Sequence, residues 1–124
     1  MKNKKTILVV EDEASLRKAI REKFVTLGYN VLEAKDGREG VVTALSQHPD
    51  LILLDVIMPV MDGLSALKEI RQDPWGKTAK IIILTNLSDN EDVTRAMSQG
   101  THDYLVKSNW KIDDIAKIVK KKIG

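Results

Sequence analysis

At 124 residues, with 43% hydrophobic and 31% charged, the chain has the size and balance of one globular domain built on one core. A formal net charge of +2 gives no argument for direct nucleic-acid binding, and the lysines gather near the two ends, at Lys2, Lys4, Lys5 and Lys120 to Lys122, as solvated termini do. The absence of cysteine excludes disulfides and thiolate chemistry. With no apolar run of membrane length and no signal-peptide pattern, a cytoplasmic protein without a membrane partner is expected.

In chain order, Thr6 to Val10 is a continuous apolar run, read as a buried first strand, and it ends in Glu11-Asp12-Glu13. Leu16, Ile20, Phe24 and Leu27 recur at helical spacing, and Gly28 supplies a left-handed stop. Asn30 to Ala34 is a weaker, mixed strand. Asp36 with Glu39 forms a capping box for a helix through Val41, Val42 and Leu45 that stops before Pro49. Leu51 to Asp55 is a third strand, wholly apolar until its last residue, followed by Met58-Pro59 and Asp62-Gly63. Gly63 to Arg71 reads as a third helix ended by Asp73-Pro74, and Lys80 to Thr85 as a fourth strand. Ser88 and Glu91 cap a fourth helix carrying Val93, Ala96 and Met97 and ended by Gly100. Asp103 to Val106 is a short last strand before Lys107. Ile112, Ile115, Val119 and Ile123 stripe a fifth helix.

Strands separated by helices call for right-handed crossovers and a parallel sheet. The first, third and fourth strands are apolar throughout, as interior strands are; the second and fifth are mixed or short, as edge strands are. An order that fits is 2-1-3-4-5: an α/β, flavodoxin-like, doubly wound five-stranded parallel sheet with five helices, a single domain over residues 1–124. Its switch point lies between the first and third strands, where ligands bind outside the carboxyl ends of the strands.

The strand ends then carry Glu11 and Asp12, Asp55, Thr85 and Lys107, each group just beyond or at the close of an apolar run. Singly each has an ordinary explanation: a cap, a satisfied loop hydroxyl, a solvated amine. Together they do not, because three clustered carboxylates repel one another. A hard divalent cation resolves the repulsion, and an all-oxygen ligand set suits magnesium. Lys107 and the Thr85 hydroxyl are what a phosphoryl group needs on its remaining oxygens.

The acidic pair after the first strand, Asp55 followed by Met58-Pro59 and Asp62-Gly63, Thr85 and Lys107 together resemble the receiver domain of two-component response regulators, the CheY-like fold. The resemblance covers nearly the whole chain. It implies that Asp55 is the phosphoacceptor, taking a phosphoryl group from a sensor histidine kinase or phosphotransfer protein. It further implies magnesium bound by Asp12, Asp55 and the Ile57 carbonyl, with Glu11 acting through water. Thr85, Asn86 and Lys107 would contact the phosphoryl group. Thr85 and Tyr104 would form the switch, and the face of the fourth helix, fifth strand and fifth helix would meet a downstream protein or a missing output domain, as a monomer or a phosphorylation-dependent dimer. Two positions depart from the family pattern: Ser108 follows the lysine where many receivers have proline, and Asn86 stands where a small residue is usual.

Other readings fare worse. A small magnesium-dependent phosphatase using an aspartyl-phosphate at Asp55 would need a second acid two residues on, and that residue is Ile57. A flavodoxin-like nucleotide binder would need phosphate-binding donors after the first strand, where this chain has acids. The expectation is therefore a phosphoacceptor switch and not an enzyme, beyond self-catalysed phosphotransfer and autodephosphorylation.

Overall fold

In a computed structural model, residues 4–56, 58–85, 103–106 and 111–124 are described, with backbone alone at 85 and 103–106. Strands β1 (Thr6–Val10), β2 (Asn30–Ala34), β3 (Leu51–Asp55), β4 (Ile81–Thr85) and β5 (Asp103–Val106) form one sheet in the order β2-β1-β3-β4-β5. Every neighbouring pair is parallel, so all five carboxyl ends share one edge.

The apolar runs at β1, β3 and β4 follow from burial on both faces. Successive side chains point to opposite sides of a strand. Leu8, Val10, Ile52, Leu54, Ile81 and Ile83 enter one core layer, and Ile7, Val9, Leu51, Leu53, Ile82 and Leu84 the other. The first layer is closed by α2 (Gly37–Gln47) and α3 (Gly63–Gln72), through Val41, Ala44, Leu64, Leu67 and Ile70. The second is closed by α1 (Ala14–Thr26) and the Ile112–Ile123 helix, through Ile20, Phe24, Ile115 and Val119. Each fully buried aliphatic side chain contributes about 1.5–3 kcal/mol, so these two layers dominate stability. At the β2 edge, Glu33 is exposed and lies 3.5 Å from Arg17 and 3.6 Å from Arg21, contacts worth at most about 1 kcal/mol each.

The helix ends show which sequence signals act locally. Gly28 is left-handed (φ 97°), and its N–H bonds the Val25 carbonyl at 3.0 Å, as the stop signal predicts. Leu27, expected on the buried stripe of α1, instead caps that helix and is 49% exposed. Asp36 caps α2 by accepting from the Glu39 N–H at 2.8 Å. The reciprocal arm reaches one residue further than the box predicts, Glu39 accepting from the Lys35 N–H at 3.3 Å. Asp62 caps α3, accepting from the Ser65 N–H at 2.8 Å and the Ser65 hydroxyl at 3.0 Å. The expected helix capped by Ser88 and Glu91 lies outside the described residues.

Two features near the opposite edge were not expected. His48 takes the left-handed conformation after α2 (φ 49°), and its ring stacks on Trp75 at 4.6 Å and 10°. The stretch after α3 is an ordered 3-10 turn, Gly76–Thr78, started by the Trp75 N–H on Asp73 Oδ2 (3.0 Å). Arg71 fixes this turn from inside, donating to the Gly76 and Ala79 carbonyls at 2.7 Å each. Partial burial lowers the Arg71 pKa, but a guanidinium keeps its charge throughout the accessible range. Arg71→Ala strips both carbonyls of this partner and is expected to cost about 1–3 kcal/mol. Arg71→Lys should recover only part of that, since an ammonium lacks the planar fork. Urea unfolding checks this: a lower midpoint with an unchanged slope is the expected outcome.

Candidate functional site

β1 and β3 are neighbours, with Val10 paired to Leu54. The next residue on each chain is an acid, Glu11 and Asp55, and both are buried, at 1% and 4% exposure. Asp12 follows on the exposed side. One carboxylate oxygen from each of Glu11, Asp12 and Asp55 lies within 4.8 Å of the others. At that spacing two ionised carboxylates repel by roughly 3 kcal/mol for an effective dielectric constant of about 20. The set is all oxygen, partly buried and open on the Asp12 side, which fits a hard divalent cation that keeps several waters.

Backbone bonds hold the acids in place. The Glu11 N–H extends the β1–β2 ladder to the Ala34 carbonyl at 3.0 Å. The Glu11 carbonyl accepts from Arg17 at 2.8 Å, and its carboxylate accepts from the Glu13 N–H at 3.0 Å. Sequence reasoning missed Arg17. Its position one turn into α1, facing back to the strand end, was the available signal.

The loop after Asp55 is fastened at both ends. The Val56 N–H bonds the Leu84 carbonyl of β4 at 3.3 Å, and the Gly63 N–H returns to the Val56 carbonyl at 2.8 Å. The Gly37 N–H reaches the Met61 carbonyl at 3.1 Å, tying the loop to α2. Met58 is buried and Met61 half-buried, filling the core below the loop. A Cβ on Gly63 would collide with the Asp55 carbonyl oxygen and come within 2.9 Å of the Val56 Cα. Backbone passes this close to backbone only without a side chain. Val60 is 81% exposed and left-handed (φ 68°), a conformation that a β-branched residue strongly disfavours.

Of the other residues singled out in the sequence, Thr85 ends β4 beside β3 and pairs with Val106, so its backbone reaches the same edge. Tyr104 lies in β5 opposite Ile83. Ile57, Asn86, Lys107 and Ser108 lie outside the described residues.

The response regulator receiver domain model matches residues 7–120. The chain belongs to that family. Its members are phosphoacceptor signalling domains of two-component systems and not enzymes of the ordinary kind. Among relatives, the "Probable transcriptional regulator ycf27" of Cyanophora paradoxa is 40% identical over 105 residues, covering 85% of this chain and 43% of that protein. The "Response regulator ArlR" of Staphylococcus aureus is 39% identical over 101 residues, covering 82% and 45%. The chain thus spans less than half the length of the curated relatives it matches. Among solved structures, the chemotaxis protein CheY4 of Vibrio cholerae superposes with a TM-score of 0.90 at 29% identity, covering 98% of this chain and all of that one. The receiver domain of the sensor histidine kinase PA1611 from Pseudomonas aeruginosa gives 0.87 at 35% identity, covering 98% and 99%; that structure holds a magnesium ion in its active-site cleft. The receiver family and its CheY-like fold are therefore those the residues resembled.

Two opposite effects are expected in the loop. Gly63→Ala should displace the Asp55 backbone and destabilise by about 1–3 kcal/mol. Val60→Gly should relieve the left-handed strain and stabilise by about 1 kcal/mol. Thermal melts of both variants beside wild type provide the check.

Proposed function

We propose that residues 1–124 act as a single receiver domain that accepts a phosphoryl group on Asp55 and changes its binding surface in response. The observation that carries this reading is the buried pair Glu11 and Asp55 with Asp12 at the sheet's carboxyl edge. An Asp55 carboxylate oxygen attacks the phosphorus of a phosphohistidine. The P–O bond to Asp55 forms as the P–N bond breaks, and the histidine nitrogen leaves with the bond pair and is protonated. Magnesium, held by Asp12, Asp55 and the Ile57 carbonyl with Glu11 acting through water, would supply charge neutralisation to the phosphoryl oxygens. Lys107 pairs with those oxygens, and Thr85 and Asn86 hydrogen-bond them.

The donor is a sensor histidine kinase or a phosphotransfer protein. Since the matched stretches cover only 43% and 45% of these relatives, the signal passes either to an output domain of a longer regulator or to a separate protein. In the switch, Thr85 moves toward the phosphoryl group and Tyr104 fills the space behind it, reshaping the face around β5 and its flanking helices. A cytoplasmic site of action agrees with the absence, among the described residues, of any helix able to cross a membrane.

Intact mass after incubation with acetyl phosphate and magnesium tests the reading. One phosphoryl group should appear in wild type, none without magnesium, and none in Asp55→Asn. The same variants report the stored repulsion. Magnesium should raise the wild-type melting temperature by mass action. Asp55→Asn should be neutral to stabilising without metal and should respond less to it.

The coupling of Thr85 to Tyr104 has its own readout. Magnesium with beryllofluoride should shift the Tyr104 amide resonance strongly in wild type and much less in Thr85→Ala. Equal shifts in both would remove the coupling.

A further inference from the structure

Away from the carboxylates, a trough of about 470 Å³ runs between α1 and the Ile112–Ile123 helix. Its floor is apolar, made by Leu27, Tyr29 and Ala116, and its rim carries Lys23, Lys117 and Lys120. The acid in its lining, Asp113, is already engaged: Lys23 bonds it at 2.7 Å and holds its carboxyl below the usual range. A second hollow shares Leu27, Tyr29 and Gly124 with the first and continues it to Lys4 and Lys5. Five lysines against one paired aspartate leave the side chains of this combined lining at +4 (5 − 1). Among the described residues, no carboxylate makes an ion pair with Lys117, Lys120, Lys4 or Lys5.

We infer that this trough is a docking site for an acidic peptide segment of a partner protein, one that seats an aliphatic or aromatic side chain on Leu27 and Ala116 and lays carboxylates along Lys117, Lys120 and the lysines beyond. Charge complementarity selects the sign of the partner, and the apolar floor selects a chain with anchors over a simple anion. Leu27 is 49% exposed and offers its area without rearrangement. A single-stranded nucleic acid fits less well. Tyr29, the aromatic residue in the lining, is 8% exposed and packs edge-on against Phe24 at 5.7 Å, so it presents no open face for a base. A bilayer fits less well because the lining offers no broad apolar face: Tyr29 is 8% and Ala116 9% exposed.

The trough lies apart from the carboxylate cluster. It lies along the helices toward the amino edge of the sheet, where Gly28 and Tyr29 lead into β2, while Glu11 and Asp55 lie at the carboxyl edge. Without a phosphoryl donor, occupancy should therefore be the same in wild type and in Asp55→Asn, which separates this inference from the function proposed above.

The test is selection of random 16-residue displayed peptides on the wild-type protein alone, followed by binding of the winners to Lys117→Glu/Lys120→Glu. Both lysines are exposed, and melting curves confirm that the variant folds. The expected winners carry net negative charge and aliphatic or aromatic anchors. They should bind roughly tenfold more weakly to the double variant, lose affinity in high salt, and shift the NMR signals of Tyr29, Ala116 and Lys120. Leu27→Ser, which leaves the charges alone, should weaken the same peptides. Winners without net negative charge, equal binding to both charge states, or shifts confined to another face would overturn the inference. So would stronger lysine-dependent binding to phosphatidylglycerol vesicles or to a single-stranded oligonucleotide than to any selected peptide.

Discussion

Two carboxylates are buried side by side where β1 and β3 end, and the rest of the carboxyl edge is arranged around keeping them there. Neither strand could deliver an acid to that position at its own expense. The Leu8, Val10, Ile52 and Leu54 layer on one side and the Val9 and Leu53 layer on the other hold the strands rigidly in register. A repulsion of roughly 3 kcal/mol per pair is small beside two packed core layers. The sheet can therefore tolerate three clustered carboxylates at its edge. A less buried scaffold would let the strand ends splay and the carboxylates separate into water.

The loop after Asp55 shows the same logic at shorter range. Gly63 lets the start of α3 pass against the Asp55 carbonyl, and the Gly37 and Gly63 N–H groups fasten the loop to α2 and to itself. Held at both ends, the loop forces Val60 into a left-handed turn and leaves its side chain 81% exposed. The strain at Val60 is thus a consequence of closure elsewhere. Asp62 caps the start of α3 just beyond this loop, and Asp12 is exposed at the edge.

Much of this was legible in the residues because burial on two faces leaves an unmistakable mark. The runs at β1, β3 and β4, the cap at Asp36, and the glycine after α1 each depend on neighbours a few residues away. The order of the strands and the meeting of Glu11, Asp12 and Asp55 followed from parallel topology once those runs were recognised. What escaped depends on contacts distant in sequence. Arg71 reads as an ordinary helix-end cation until the 3-10 turn folds back over it. His48 and Trp75 lie far apart in the sequence, yet they stack. Pro59-Val60-Met61 contains no glycine or asparagine to announce a left-handed residue, because the conformation is imposed by the fastened loop and not by local preference.

The net charge of +2 conceals how the charges are sorted. In a parallel sheet each connecting helix must run back against the strands, so it ends near the edge where the strands begin. β1 starts at that edge and the Ile112–Ile123 helix finishes there; the Lys80 amine, just before β4, donates to the Lys122 carbonyl at 3.0 Å. Lys4 and Lys5 near one end of the sequence and Lys120 to Lys122 near the other, which look like two solvated termini, are thereby gathered at one end of the folded domain. The acids that follow β1 and β3 are gathered at the other. The topology that creates the carboxylate site creates an opposite, basic end as well, and the two are held apart by the length of the strands. A domain sorted in this way keeps its acidic and basic ends from sharing the same groups.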